Sequence, residues 1–388
     1  MDLSLTPAQQ EIREGVLKIC ERFGDDYWRA RDGDGAFPHD FHRALAEAGW
    51  LGIAMPEAYG GSGLGITEAA VMMQAVAESG AAFSGASAVH MNIFGLNPVV
   101  VFGTDEQKRR FLPPLIAGKE KACFAVTEPD AGLDTTRLKT RAVRSGNGYA
   151  IHGQKIWTST AQVAERVLLL ARTTPLEQVK KRTEGLSLFY TAFDRRYVEA
   201  RVIDKMGRKA VDSNQVFFDG LPVPLEDRIG EEGRGFEYIL HGMNPERVLV
   251  AAEAVGVGRA ALARAARYAR ERVVFGRPIG RNQGIQHPLA RCWMELEAAN
   301  LMVLKAARLY DAGQPCGIEA NAAKYLAAEA GFNACETAVL THGGMGYAKE
   351  FHVERLFREV MIARIAPVSR ELILCNIAEK ALGLPKSY

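Results

Sequence analysis

The spacing of apolar and polar residues divides the chain into three parts. In the first part apolar residues recur at helical intervals after the helix-start residues Thr6 and Pro7. In the middle part the period changes to the alternation that is typical of strands, with turn residues between short runs. Long helical patterns with short connections then return, as in an antiparallel bundle. The prediction is an α+β multidomain protein with an N-terminal helical domain at 1–122, a central antiparallel β-sandwich or β-barrel at 123–232 and a C-terminal four-helix bundle at 233–388.

Individual elements follow from the same periodicity. Strands are predicted at 139–144, 149–157, 167–173, 186–193, 198–203 and 214–218. Helices are predicted at 66–79, 84–102, 236–274 with an interruption near Pro245, 285–312, 318–341 and 353–365. The glycine-rich run at 343–346 follows a helix, so it lacks the strand–turn–helix context of a dinucleotide-binding motif.

Charge and cysteine content exclude several kinds of partner. The chain has 388 residues and a formal net charge of +2, so neither nucleic acid nor a membrane surface is expected as a partner. No run approaches the roughly 20 apolar residues of a membrane span. The first residues lack the basic and apolar regions of a secretory signal, which predicts a cytoplasmic or organellar-matrix protein. The six cysteines contain no C-x-x-C pair, so no metal site is expected.

Residues 123–159 are predicted to form a rigid floor for a flat ligand. A short apolar strand leads into a loop with Pro129 and Gly132, where proline fixes φ and glycine permits close backbone approach. The stretch closes on Trp157, Thr158 and Ser159, an aromatic plane next to two hydroxyls. A large ring system with hydrogen-bonding edges fits such a surface. The plainer alternative for the tryptophan is a position in the core of the β region.

Five motifs in order along the chain resemble the acyl-CoA dehydrogenase family: AVTEPDAG, GQKIWTS, RVVFGRPIGRNQGIQ, HGGMGY and VERLFRE. The likeness runs from about residue 6 to about residue 385. It implies that family's fold, a helical domain followed by a β domain and a four-helix bundle. It also implies FAD as cofactor and dehydrogenation of an acyl-CoA substrate to the trans-2-enoyl-CoA, in fatty acid or branched-chain β-oxidation. The implied partners are an electron-transfer flavoprotein as electron acceptor and further copies of the chain in a homotetramer, a dimer of dimers.

The resemblance also implies which residues hold FAD. The surface under the isoalloxazine ring falls on Phe124, Val126, Thr127, Trp157, Thr158 and Ser159. The residues around the cofactor of a neighbouring subunit are Arg272, on the pyrophosphate, with Phe275 and Gln283. Contacts elsewhere along FAD fall on Gly343, Gly344 and Ser369. The plainer alternatives are a core position for Phe124, a solvated charge for Arg272 and a helix C-cap for the two glycines.

Two positions depart from the family pattern. Leu133 stands where the common motif has a serine that touches substrate, so that contact is lost or moves to the main chain. Pro367 stands where most members have the catalytic glutamate, and proline cannot take a proton. The usual base is therefore missing from this chain.

Glu246 is predicted to be the base instead. In a branch of the family that includes isovaleryl-CoA and long-chain acyl-CoA dehydrogenases, the catalytic carboxylate lies on a bundle helix directly before an arginine, and the run NPERVLVAA is similar. The substrate-binding residues implied are Leu133, Asn244 and Arg247. Asn244 lies near the CoA adenine, and Arg247 holds either the helix of Glu246 or a neighbouring carboxylate. The plainer role for Glu246 is to complement the helix dipole or to pair with Arg247. Glu371 is the next candidate for the base.

Two other functions stay open. Relatives of this fold use oxygen as nitroalkane oxidases or flavin monooxygenases, and some of them also lack the usual glutamate. A non-catalytic branch binds DNA; the arginine-rich helix would suit it, but Glu253 and Glu271 interleave with the arginines. The acyl group depends on side chains such as Met91, Asn92 and Phe94. A medium-chain or branched acyl group is the hypothesis, because a base on a bundle helix leaves room near Cα and Cβ.

Overall fold

The first part of the chain is helical, as predicted. The computed structural model describes residues 4–387, and the side chains of Asn92 and Phe94, with their predicted roles in the acyl pocket, lie outside the described set. The first helix begins at a capping box, in which the Thr6 hydroxyl accepts from Gln9 N at 3.3 Å and the Gln9 side chain accepts from Thr6 N at 3.1 Å. The α-helices are α1 Pro7–Cys20, α2 Asp25–Asp34, α3 His39–Glu47, α4 Ile66–Val76, α5 Ala82–His90, α6 Asn97–Phe102 and α7 Asp105–Ile116.

Two π-turns break the helical run after α4. The first, Ala77–Ala81, contains Gly80 with φ of +102°, where a Cβ would lie 2.7 Å from Arg264 Nη2. The second, Met91–Gly95, follows α5 directly. The single helix predicted over 84–102 is therefore wrong, because apolar spacing does not mark such breaks.

The middle part forms one sheet of eight strands. The strands are β1 Ala122–Ala125, β2 Arg141–Ser145, β3 Gly148–Ser159, β4 Arg166–Arg172, β5 Leu186–Ala192, β6 Val198–Val202, β7 Ser213–Pro224 and β8 Arg228–Ile229. Their order is β6–β7–β3–β2–β4–β5–β8, with β1 beside β4. Most neighbours are antiparallel, but β1 and β2 both pair with β4 in the parallel direction. The sheet is thus mixed at β4, because side-chain alternation carries no information on strand direction.

The last part is helical again and contains one short hairpin. Its elements are α8 Gly235–His241, α9 Met243–Glu271, β9 Val273–Val274, β10 Arg277–Pro278, α10 Gln283–Asp311, α11 Gly317–His342, α12 Val353–Val360, α13 Ile362–Ile365 and α14 Arg370–Leu382. The helix predicted to run to residue 274 ends at Glu271, because the backbone becomes extended at Arg272 and begins the hairpin. Phe275 and Gly276, both with positive φ, form the turn of that hairpin. The sequence did not predict α14.

Three clusters of buried apolar side chains support these parts. One belongs to the sheet, and a small one consists of Phe37, Ala88 and Val211. The largest runs from the N-terminal helices into the bundle, because α4 and α5 pack against α9, and it also includes residues of β4 and β5. α9 also packs against α10 and α11, while α12 and α14 pack against α11. A polar side chain on the inner face of α9 therefore needs a partner inside the protein. Within residues 4–387, every helix is too short or too polar to cross a membrane.

Candidate active site

The loop after β1 and the end of β3 form one surface. Ile156 N donates to Thr127 O at 2.9 Å, and Lys155 Nζ donates to Val126 O at 2.9 Å. These two bonds join the loop to the strand. The six residues of this surface, which we call the floor, are Phe124, Val126, Thr127, Trp157, Thr158 and Ser159.

A buried ion pair fixes the floor from below. Lys155 Nζ donates to Glu128 Oε1 at 2.9 Å, and the side chains are 0% and 5% exposed. Burial lowers the pKa of Lys155 to about 8. Burial by itself would raise the pKa of Glu128, but Lys155 and hydrogen bonds from Thr140 and from Lys139 N lower it below its usual value. The loop is therefore held both to β3 and to the segment directly before β2.

A β-bulge turns Trp157 out of the sheet. Lys155 pairs with Val216 and Thr158 with Asn214, so two residues of β3 oppose one residue of β7. Trp157 has φ of +60°, and 57% of it is exposed. The interpretation of this tryptophan as a core residue is therefore wrong.

The two hydroxyls beside Trp157 differ in their partners. Thr158 is 0% exposed, yet its Oγ1 has no hydrogen-bond partner among the described residues. Such an atom carries the cost of lost hydration unless a ligand or water meets it. Ser159 Oγ accepts from Arg208 Nη2 at 2.9 Å. An exposed indole beside an unsatisfied hydroxyl fits a flat ligand with polar edges.

Arg208 connects the floor to the helical part. Its guanidinium also donates to Ser213 Oγ at 3.1 Å on β7 and to Ser87 Oγ at 3.1 Å on α5. Burial lowers the pKa of Arg208 below the usual arginine value. The neighbouring Lys205 also donates to Ser213 Oγ, and burial lowers its pKa to about 6. The chain thus places a partly buried guanidinium among three hydroxyl groups.

Glu246 lies in the first turn of α9 with its carboxylate inside the protein. The residue is 8% exposed, and its Oε2 lies 2.5 Å from Nε2 of His90, the last residue of α5. On the other side of the ring, Nδ1 of His90 lies 2.5 Å from Oε1 of Glu253. Arg247 has a different partner, because it donates to Asn321 at 2.9 Å. The structure therefore pairs Glu246 with a histidine that the sequence did not single out.

The two carboxylates determine the charge of His90. Burial by itself would lower the pKa of this histidine, but Glu246 and Glu253 together raise it to about 10. The ring is therefore an imidazolium at neutral pH and donates from both nitrogens. Burial raises the pKa of Glu253, which is 1% exposed.

One face of α5 carries polar side chains that are buried at Ser84 and His90 and partly buried at Ser87. Ser84, Ser87 and His90 follow each other at intervals of three residues, so they share that face. Ser84 donates from N and Oγ to Glu359 on α12, at 2.8 Å each. Ser87 meets Arg208, and His90 meets the two carboxylates of α9. We call these three residues the polar face of α5.

The other predicted residues lie at the surface or at helix ends. Leu133 is 62% exposed with φ of +62°. Asn244 is partly buried at the start of α9. The Ser369 hydroxyl accepts from Leu372 N at 3.3 Å as the N-cap of α14. Phe275 is fully exposed at the hairpin tip. The remaining predicted contacts are also exposed: Arg272, Gln283, Gly343 and Gly344.

Comparison with known proteins establishes the family. Models of the N-terminal, middle and C-terminal domains of acyl-CoA dehydrogenases match residues 6–119, 123–221 and 233–382. The chain belongs to the acyl-CoA dehydrogenase family. It is therefore an oxidoreductase, and FAD, the cofactor that the resemblance implied, is confirmed.

Individual members of the acyl-CoA dehydrogenase family are similar over almost the whole chain. The acyl-CoA dehydrogenase FadE12 of Mycobacterium tuberculosis is 39% identical, with 98% of this chain and 97% of that protein covered. The caffeyl-CoA reductase–Etf complex subunit CarC of Acetobacterium woodii is 34% identical, with 92% and 90% covered. The butyryl-CoA dehydrogenase structure from Megasphaera elsdenii has a TM-score of 0.93 at 30% identity, with 99% and 100% covered. The predicted fold class is confirmed.

Sequence reasoning missed three residues of this candidate site: His90, Arg208 and Glu253. Glu253 carried a signal, because it is a lone carboxylate in the apolar run VAAEAVG. His90 and Arg208 carried none, since their partners are far away in the sequence. His90 meets Glu253 across 163 positions, and Arg208 meets Ser87 across 121.

Proposed function

We propose that this protein dehydrogenates an acyl-CoA thioester to the trans-2-enoyl-CoA, with Glu246 as the base. The observation that carries the proposal is the buried carboxylate of Glu246 in a chain that has Pro367 at the family's usual position. Glu371, the other candidate, is an exposed side chain 3.2 Å from Arg370. It lacks the dry surroundings that the removal of a weakly acidic proton requires.

The reaction assigns one task to Glu246. The Cα–H bond of the thioester breaks, the proton moves to a carboxylate oxygen of Glu246, and the carboxylate becomes a carboxylic acid. The Cβ–H bond breaks in the same oxidation and its hydrogen leaves as hydride. FAD, when bound, supplies the acceptor for that hydride. Burial keeps water from competing for the base.

The floor is the proposed seat of the isoalloxazine ring. The exposed indole of Trp157 and the unsatisfied hydroxyl of Thr158 support this placement. Ser369 is proposed to touch the same FAD. The residues proposed to meet the FAD of a neighbouring subunit are Arg272, Phe275 and Gln283, and the two glycines proposed to lie along its adenosine half are Gly343 and Gly344.

A homotetramer, built as a dimer of dimers, and an electron-transfer flavoprotein are the proposed partners. Large apolar side chains on the bundle surface support self-association: Trp293 and Met294 are 59% exposed and Leu340 is 72% exposed. The similarity to a subunit of a reductase–Etf complex supports the flavoprotein as electron acceptor.

The proposed substrate is a medium-chain or branched acyl-CoA in β-oxidation. Leu133, Asn244 and Arg247 are proposed to contribute to its binding. Anaerobic titration of the FAD-loaded enzyme with a panel of acyl-CoA thioesters tests this, because the substrate bleaches the flavin absorbance. A preference for short straight chains would refute the assignment of the acyl group.

A pair of carboxylate-to-amide variants tests the base. Glu246→Gln is expected to keep FAD and to lose about 10²-fold or more in the rate of flavin reduction, the usual scale for a general base. Glu371→Gln is the matched control and is expected to reduce FAD at the wild-type rate. Wild-type reduction by Glu246→Gln would exclude Glu246 as base. Fast reoxidation of the wild-type enzyme in air would instead indicate an oxygen-using flavoenzyme.

A further inference from the structure

We infer that His90 and Glu253 are positioning residues for the base, so that Glu246, His90 and Glu253 work as one unit. This inference rests on the proposed function of Glu246. None of the sequence motifs that indicate the family contains His90 or Glu253. The unit is a carboxylate–imidazolium–carboxylate row with two hydrogen bonds of 2.5 Å.

Helix geometry brings the two carboxylates to the same ring. Glu246 and Glu253 are seven residues apart on α9, which is close to two helical turns, so both side chains leave the helix on one side. His90 ends α5, which packs against that side of α9. Each ring nitrogen therefore faces one carboxylate oxygen, and the imidazole is held from both edges.

Proton counting supports an imidazolium. Two hydrogen bonds between two nitrogens and two carboxylate oxygens need two protons, and His90 in its charged form supplies both. A neutral ring would leave one nitrogen lone pair against one carboxylate. The other charged groups around this unit are Arg208, from the segment before β7, Arg247, on α9, and Lys324, from α11. On the same helix, Ser84 meets Glu359, whose charge Arg355 matches at 3.1 Å.

The row assigns different tasks to the two oxygens of Glu246. Oε2 accepts from His90 and is held in place, which leaves Oε1 to receive the α-proton. His90 does not take part in the proton transfer and keeps its charge throughout. Glu253 keeps the ring protonated and oriented, because the ring would otherwise have to hold its charge in a buried position without a second partner.

Two substitutions in the FAD-loaded enzyme test the unit. His90→Gln removes the charge and one of the two donors. Its flavin reduction rate is expected to fall about tenfold to 100-fold, the range for a misplaced catalytic group. Its Kd for a thioester that cannot be dehydrogenated is expected to stay within about threefold of the wild-type Kd. A change of this size is smaller than the loss of one hydrogen bond to the ligand would cause. Glu253→Gln keeps the size of the side chain and removes the charge that holds His90 protonated.

The pH profile gives a readout that a purely structural role would not change. In the wild type His90 loses its proton at about pH 10. Glu253→Gln is expected to move the alkaline fall in flavin reduction down by about one pH unit or more, the usual effect of removing a close opposite charge. The rate of flavin reduction by His90→Gln is expected to lack this alkaline fall.

A stability measurement on the same proteins is independent of activity. His90 has a raised folded pKa, so its stabilising contribution is full below the unfolded value of 6.5 and is lost as the pH rises through about 10. The Tm of the wild type should therefore fall over this window, and that of Glu253→Gln should fall at lower pH. The Tm of His90→Gln should not show the fall that deprotonation of His90 causes in the wild type.

The outcomes separate this inference from the proposed function. If no acyl-CoA reduces the wild-type flavin, the proposed function fails, and the Tm profiles alone show whether the charged row exists. If the wild type is active and Glu246→Gln is not, but both His90→Gln and Glu253→Gln match the wild type in rate and pH profile, the inference is wrong and the base assignment stands. If His90→Gln does not fold, the rate and pH profile of Glu253→Gln decide.

Discussion

Arg208 donates a hydrogen bond of 2.9 Å to Ser159, the last residue of the floor. The same guanidinium holds Ser87 on α5, three residues before His90. The surface proposed for FAD and the helix that ends at His90 are thus connected through one partly buried cation. The position of one depends on the position of the other.

Removal of the Arg208 guanidinium is expected to weaken FAD binding. A hydrogen bond from a charged donor contributes about 1.5–3 kcal/mol, so Arg208→Met should raise the Kd of FAD about tenfold to 100-fold. Arg208→Lys should bind FAD nearly as weakly as Arg208→Met, because one ammonium group cannot reproduce the planar set of donors of a guanidinium. Titration of apo-protein with FAD measures both. Arg196→Met, at an exposed pair with Asp194, is the control, and equal affinities for all four proteins would contradict the role of Arg208.

Thr158→Val should affect the apo-protein and the FAD complex in opposite directions. Removing a buried hydroxyl that has no partner should leave the apo-protein as stable as wild type or more stable, whereas the complex should lose about 1 kcal/mol of FAD binding free energy. Thr140→Val is the matched control, because the Thr140 hydroxyl donates to Gln154 O at 3.1 Å. It should destabilise the apo-protein and leave FAD affinity unchanged. Urea unfolding and FAD titration report the two quantities, and loss of apo stability in Thr158→Val would show that its hydroxyl is already satisfied.

Lys155→Met should destabilise the protein strongly. The substitution leaves Glu128 as a buried charge, and breaking such a pair costs about 3–5 kcal/mol of unfolding free energy. Arg201→Met is the control, since its pair with Glu199 is 65% and 59% exposed. Exposed pairs contribute about 1 kcal/mol or less. Equal free energies of urea unfolding for the two variants would refute the importance of burial here.

His42 should make the fold sensitive to acid. Burial lowers the pKa of this 2% exposed histidine from 6.5 to about 4. Between these values the unfolded chain binds a proton that the folded chain does not, so stability falls as the pH falls. Between about pH 8 and about pH 5, the free energy of unfolding of His42→Phe should therefore fall by about 2 kcal/mol less than that of the wild type. Urea unfolding at both pH values measures this difference. The exposed His287→Phe should behave like wild type, and an unchanged pH dependence of His42→Phe would contradict the prediction.

The sequence predicted the parts of the molecule that depend on local pattern. The three-part order and most of the strands of the central sheet follow from periodicity and from turn residues such as Gly146. The direction of β1, the breaks around α5 and the added α14 do not, because they depend on contacts between distant segments. The motifs pointed to Glu246, but its pairing with His90 required the packing of α5 on α9, which one sequence does not encode in any short run.

The polar face of α5 has a consequence for how the protein unfolds. Ser84, Ser87 and His90 bind charged side chains from α12, from the segment before β7 and from α9. The carboxylates of Glu246, Glu253 and Glu359 are buried, and their hydrogen bonds to α5 would be lost if this helix moved alone. The sheet and the helical parts therefore cannot separate without exposing several charges at once. They are coupled into a single cooperative unit by these polar contacts as well as by the apolar core that β4 and β5 share with the helices.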